Sequence, residues 1–187
     1  RKAIESKLLE VNQQLSKLAT VDGLTNIANR YYFDDFLTRE WQLARREQFS
    51  LAVILCDLDY FKLYNDRFGH QQGDTCLQQV AQALLNAVQR PTDLVARYGG
   101  EEFAVILPRT SANNALVVAE KMRQQIKTLS LTHPDSSVGD YVSLSIGISA
   151  VVPCSKYTKK QLLVTADQAL YQAKKQGRDR AIVKLLD

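Results

Sequence analysis

Cysteine is scarce in this chain, and its spacing is uninformative in a useful way. Cys56, Cys76 and Cys154 are the only three, far apart and odd in number, with no Cys-x-x-Cys pair among them. Neither a disulfide framework nor a zinc site is indicated, and a reducing compartment such as the cytoplasm fits. Cys56 lies in an apolar stretch and reads as a small buried hydrophobe. No run of Lys and Arg is long enough to form a nucleic-acid arm, and a net charge of +4 favours anionic ligands only weakly. No apolar run could span a bilayer, and there is no recognisable signal peptide. Internal repeats and low-complexity segments are also lacking. What is left is ordinary globular composition, 45% hydrophobic and 24% charged over 187 residues, enough for one domain with a full core plus an appendage. The chain starts at Arg1 rather than Met. The expectation is a piece of a longer protein, whose tethering to a membrane stays open.

Apolar side chains recur at Ile4, Leu8, Val11, Leu15 and Leu18, in steps of four and three. That is a heptad seam. It suits either a helix packed on its own domain or a coiled-coil stub entering from an upstream one. Asp22-Gly23-Leu24-Thr25 breaks the pattern. Residues 29–46 read as a helix with Tyr32, Phe33, Phe36, Leu37 and Trp41 on its buried face. The run 51–56, Leu-Ala-Val-Ile-Leu-Cys, is short and continuously apolar, so it reads as a central strand buried on both faces. It ends in Asp57-Leu58-Asp59. A carboxylate at such a strand end suits metal chemistry, and Asp59 could equally cap a helix starting at Tyr60. Further helices are expected over 74–89, 111–128 (capped by Ser111) and 158–176 (stopped by Gly177), with strands over 141–151 and 181–186 and a loop over 129–140. The order is strand, helix, hairpin, helix, strand, helix, strand. It predicts one α/β domain of the α+β type, a mixed and mainly antiparallel sheet with helices on its faces.

The hairpin is the most pointed feature. Arg97-Tyr98-Gly99-Gly100-Glu101-Glu102-Phe103 lies between two β-prone runs, and Gly-Gly permits a tight turn. Glu101 and Glu102 then stand side by side, where like charges repel unless a cation compensates. On these seven residues alone, a solvated acidic turn and a metal site stand level.

The wider set of motifs resembles the GGDEF family of diguanylate cyclases. The resemblance runs from about Asp22 to Val183. It rests on Asp57 to Asp74, with Asn65, Gly69, His70 and Gly73 in place, and on Gly99-Gly100-Glu101-Glu102-Phe103. Asp22-x-Leu24-Thr25 with Asn29-Arg30, Ser145-Ile146-Gly147, and Ala166-Asp167-x-Ala169-Leu170-Tyr171-x-Ala173-Lys174 with Gly177-Arg178 extend it. Glu101 replaces the name-giving Asp, and Asn26 and Tyr31 stand where the family often has Gly and Arg. The resemblance implies a fold like nucleotidyl cyclase and polymerase palm domains, over residues 20–187, with residues 1–19 as a signalling linker. It implies two GTP joined into cyclic di-GMP with release of two pyrophosphates, Mg²⁺ (or Mn²⁺) as cofactor, and a homodimer below an upstream sensor.

Residue by residue, the resemblance makes Asp57, Glu101 and the Leu58 carbonyl metal ligands, and Asp57, Glu101 and Glu102 the catalytic set. Which glutamate takes the proton is left open. Tyr60, Phe61 and Lys62 offer helix-opening amides to phosphate, Gly99 and Gly100 let nucleotide approach the backbone, and Lys174 and Arg178 reach the triphosphate. Those last two also suit a helix C-terminus, where basic residues complement the dipole. Asn65 and Asp74 match guanine-reading positions, and an ionised Asp suits guanine's two donors where adenine has none. Arg90-Pro91-Thr92-Asp93 matches an inhibitory Arg-x-x-Asp site for cyclic di-GMP. Taken alone, Arg90 would simply end a helix and Asp93 start a turn. His70 matches a family position with its role left open; beside two glycines it reads as structural, and it is assigned no catalysis. The alternative is a catalytically silent domain that binds cyclic di-GMP. Such a domain would be expected to lack some of Asp57, Asn65, Asp74, Gly100, Glu101 and Glu102, all of which are present.

Overall fold

The computed structural model describes residues 2–187, apart from the side chains of residues 2, 9, 10, 13, 14 and 16–18. In chain order the elements are α1 (Lys2–Leu18), α2 (Arg30–Glu47), β1 (Leu51–Leu58), α3 (Phe61–Phe68), α4 (His70–Ala87), β2 (Leu94–Gly99), β3 (Glu102–Pro108), α5 (Ala112–Thr128), β4 (Leu144–Val151), α6 (Lys159–Lys175) and β5 (Ala181–Val183). The five strands form one sheet in the order β2-β3-β1-β4-β5. All neighbours are antiparallel except β4 and β5. The mixed, mainly antiparallel sheet expected from the sequence is therefore present.

β1 is the central strand, and every one of its residues is buried. Because side chains alternate, it serves two cores at once. Ala52, Ile54, Cys56 and Leu58 pack with Phe103, Val105, Ile146 and residues of α3, α4 and α5. Leu51, Val53 and Leu55 pack with Ala104, Ile106 and residues of α2 and α6. The cysteines are free, and burial pushes the Cys56 thiol far above its ordinary range. α6 rests directly on the sheet at Gly147, where a Cβ would lie 2.2 Å from both the Ala166 carbonyl oxygen and the Leu170 nitrogen. Any side chain there would push helix and strand apart, which accounts for glycine in a buried strand.

The helix ends follow local chemistry. Asn29 caps α2 by accepting from the Tyr32 N–H, Ser111 caps α5, and Thr158 with Gln161 forms a capping box on α6. After α6 the Arg178 N–H returns to the Ala173 carbonyl, across Gly177 at φ 115°.

Three expectations need correction. α4 begins at His70 and not at Asp74, because Gly69 alone (φ 86°) turns the chain from α3 into α4. Asp59 does not cap α3: Tyr60 occupies the capping position with left-handed φ 54° and makes no side-chain cap bond. The last two strands are shorter than expected, and Tyr141 joins only an isolated bridge to Thr132. In α1 the seam residues Ile4, Leu8, Val11 and Leu15 are all exposed, so they do not pack on the domain. The Leu18 side chain lies outside the described residues.

Candidate active site

The sheet register builds the acidic corner. Asp57, near the carboxyl end of β1, pairs with Glu102 on one side and Ser145 on the other. Directly opposed residues of an antiparallel pair project to the same face, so Asp57 and Glu102 share one. The Leu58 N–H donates to the Glu101 carbonyl at 3.3 Å, which holds Glu101 beside the strand end. Glu101 is half-buried and Glu102 exposed. Asp57 itself is only 8% exposed. Burial, aided by Glu101 and Glu102, pushes its carboxyl up to about 6 even though Lys174 pulls the other way. The Lys174 Nζ lies 3.0 Å from Asp57 Oδ2. A buried acid that is still costly to ionise beside a lysine is under-compensated, and further positive charge would stabilise it.

The turn is tied from below. β2 and β3 change register between Arg97 and Gly99, and Gly100 sits at φ 41°. Arg97 Nε donates to the Gly100 carbonyl at 2.9 Å, while its Nη1 lies 3.3 Å from both Asp22 oxygens. Asp22 also accepts from the Thr25 amide and hydroxyl. Burial raises the Asp22 carboxyl, but these partners outweigh it and hold it below the usual range.

On the other side of Asp57 the chain turns through Tyr60 into α3. The guanidinium of Arg178 lies 4.4 Å above the Tyr60 ring. Arg178 and Asp179 both have positive φ. Their turn is held by Asp59, which is 2% exposed and accepts from Ser143 Oγ (2.7 Å), Ser145 Oγ (2.6 Å) and the Asp179 N–H (3.1 Å). Arg123 and Lys127 of α5 pair with the Asp179 carboxylate. Lys62 is exposed at the start of α3. Asn65 lies against Gly73, where a Cβ would come 1.8 Å from Asn65 Oδ1. That oxygen is buried without a hydrogen-bond partner among the described residues, and Asp74 is exposed next in the chain. His70 is exposed.

Arg90 and Asp93 do not join this group. Arg90 contacts Pro108 and Thr110, and Pro108 pairs with Leu51 at the opposite end of β1 from Asp57. Six residues of strand put the two ends about 20 Å apart. Arg90 lies beyond the end of α4 and grips Asp93 with two nitrogens, Nε–Oδ2 at 3.0 Å and Nη2–Oδ1 at 2.6 Å.

The family model described as diguanylate cyclase, GGDEF domain, matches residues 19–180. The chain belongs to the GGDEF family. It is 34% identical over 172 residues to diguanylate cyclase A of Treponema denticola, covering 90% of this chain and 45% of that protein. It is 38% identical over 176 residues to the bifunctional diguanylate cyclase/cyclic di-GMP phosphodiesterase MucR of Pseudomonas aeruginosa, covering 94% of this chain and 25% of that one. The chain thus spans less than half the length of these curated relatives. Among solved structures, the coiled coil and GGDEF domain of DgcB from Caulobacter crescentus, in complex with c-di-GMP, superposes with a TM-score of 0.80 at 34% identity, over 98% of this chain and 95% of that one.

Within this GGDEF domain the oxygen-only corner of Asp57, Glu101 and Glu102 has the donor chemistry for a hard divalent cation. Among the described residues no three His, Cys, Asp or Glu side chains converge closely enough to hold one unaided. Further oxygen ligands would have to complete the shell. Sequence reading passed over two residues that shape this site. Arg97 was inside the hairpin motif and Asp22 inside another, but nothing in their 75-residue separation advertised the pair. The sequence offers Asp59 as a candidate cap beside the metal reading, and its buried serine partners lie 84 and 86 residues away.

Proposed function

We propose that this domain is a diguanylate cyclase, condensing two GTP into cyclic di-GMP and two pyrophosphates. The observation that carries the reading is Asp57: a buried, under-compensated carboxylate paired across the sheet with Glu102 and backed by Glu101. Asp57, Glu101 and the Leu58 carbonyl would hold Mg²⁺, with Mn²⁺ as a substitute. The metal would draw charge from the α-phosphate and lower the pKa of the attacking 3′-hydroxyl.

The chain's own groups bind and orient. The amides of Tyr60, Phe61 and Lys62 and the charges of Lys62, Lys174 and Arg178 receive the triphosphate. Lys174, which lies 3.0 Å from Asp57 Oδ2, would be free to turn to phosphate once a bound cation compensates Asp57. Asn65 and Asp74 read guanine, and the unpartnered Asn65 oxygen gains a donor from the base. Gly99 and Gly100 leave room for ribose and phosphate. Glu101 or Glu102 takes the 3′-hydroxyl proton. In-line attack at phosphorus asks for positioning and charge stabilisation more than covalent help.

Each domain holds one GTP, so the product requires two copies facing each other about a two-fold axis. The exposed α1 seam supports residues 1–19 as a coiled-coil linker from an upstream sensor, with 20–187 as the catalytic domain, working in the cytoplasm where GTP is supplied. Cyclic di-GMP would inhibit at Arg90 and Asp93. Incubation with GTP and Mg²⁺, resolved by chromatography, should yield cyclic di-GMP, and Leu8→Ser with Leu15→Ser should reduce both sedimenting mass and yield. No cyclic product at high protein concentration overturns the enzyme reading. Binding of cyclic di-GMP without turnover would favour the silent sensor instead.

A further inference from the structure

Tyr60 is an unlikely residue for its place. It is not glycine, yet its backbone is left-handed, at φ 54° and ψ 32°, and it opens α3 without a side-chain cap. Something outside the helix must hold it there. The loop between α5 and β4 does so at three points. His133 Nε2 lies 3.0 Å from the Tyr60 carbonyl oxygen. Ser137 Oγ donates to the Tyr60 hydroxyl at 2.8 Å. Asp135 pairs with Arg67 on α3 at 3.1 Å.

The loop is itself closed at its base. The His133 N–H donates to the Asp140 carbonyl at 2.7 Å and the Val142 N–H to the Leu131 carbonyl at 2.8 Å. His133 is 1% exposed, and its ring stands edge-on to Tyr64 with centroids 5.4 Å apart. A carbonyl only accepts, so Nε2 must carry the ring proton. Nδ1 is buried with no partner among the described residues. Leaving that nitrogen unsatisfied is costly, so a histidine kept only for packing would be better replaced by phenylalanine.

We infer that His133 is a positioning residue for the phosphate cradle. By donating to the Tyr60 carbonyl it fixes the left-handed turn that aims the Tyr60, Phe61 and Lys62 amides at the triphosphate. The inference rests on the reading of that cradle as the GTP site. It makes the loop 129–143, far from the acidic hairpin in sequence, part of substrate binding.

The test compares His133→Phe, which keeps the ring and removes the donor, with His133→Gln, which keeps a donor near the Nε2 position. KM for GTP should rise about tenfold in His133→Phe, the worth of one hydrogen bond to a buried acceptor, with kcat within about twofold. Calorimetric affinity for Mg²⁺–pyrophosphate should fall in parallel, and His133→Gln should bind like wild type. An imidazole ¹⁵N spectrum of the wild-type chain should show the proton on Nε2. The inference is overturned by His133→Phe with wild-type KM, by a fall in melting temperature without a change in GTP affinity, or by His133→Gln as weak as His133→Phe. An Nε2 found without a proton overturns it even if both variants fail to fold. Wild-type protein that neither binds nor turns over GTP defeats the reading of the site itself, which is a different result.

Discussion

The two ends of the central strand hold opposite electrostatic solutions. At the carboxyl end, Asp57 has one lysine contact at 3.0 Å and two glutamates for neighbours, and its carboxyl is pushed up to about 6. At the other end, Asp93 is just as enclosed, its side chain 3% exposed, but Arg90 meets both of its oxygens. One corner is short of positive charge and the other is closed on itself. A corner of the first kind gains from taking up a cation, while one of the second kind must break its own pair before a ligand can replace either half. On the proposed function the first corner turns over substrate and the second senses product, and their charge states suit those tasks.

The sharpest way to break the contrast is Asp57→Asn. It should lower cyclic di-GMP formation about a thousandfold or more, while the metal-free protein melts no lower than wild type, because a poorly compensated buried charge has been removed. Turnover assays and calorimetry check both halves. A lower melting temperature would mean that Asp57 is well paired after all.

Arg90→Ala should do the converse. Cyclic di-GMP affinity should fall about tenfold or more, since a hydrogen bond to a charged group is worth about 1.5–3 kcal/mol. Initial turnover should be unchanged, and the fold should lose about 1–3 kcal/mol because Asp93 is left unpaired. Titration calorimetry with cyclic di-GMP and denaturant unfolding measure these. Unaltered affinity would remove the inhibitory assignment.

The third test is a pH series on metal-free protein. The folded-state value of Asp57 is raised from 3.8 to about 6, so the folded form holds that proton more tightly than the unfolded chain does. The stabilising contribution is full below about pH 4 and lost as pH rises through about 6, some 2–3 kcal/mol in all. Unfolding free energies of wild type and Asp57→Asn should diverge across that window, with wild type losing ground. Parallel curves would show that Lys174 compensates Asp57 fully.

Gly73→Ala has the smallest expected effect. A Cβ would land 1.8 Å from Asn65 Oδ1, the end of a side chain that can swing away. The fold should lose no more than about 1–2 kcal/mol, while KM for GTP rises about tenfold as Asn65 leaves its place. An unchanged KM would separate Asn65 from guanine reading.

Much of this was legible in the chain. Leu51 to Cys56 announced a strand buried on both faces, because an unbroken apolar run of that length has nowhere else to go. Ser111 and Thr158 announced helix starts because their hydroxyls satisfy orphan amides locally. Arg90 and Asp93 were named together, but only the structure closes them into a bidentate pair that also touches Pro108 and Thr110. The early start of α4 was missed because the sequence offers no capping side chain there, only Gly69, whose freedom at positive φ lets one residue turn two helices.

The sequence by itself determined the element types, the central strand, the acidic turn and the family, since these depend on periodicity, local hydrogen bonding and motif spacing along the chain. The tertiary structure alone decided that Glu102 faces Asp57, that Arg97 ties Asp22 to the Gly100 carbonyl, that Asp59 fastens the turn bearing Arg178, and that His133 reaches Tyr60. Each of those pairs spans some 45 to 120 residues. Sheet register and loop closure bring such groups within hydrogen-bonding distance, and neither is encoded in any window of neighbouring residues.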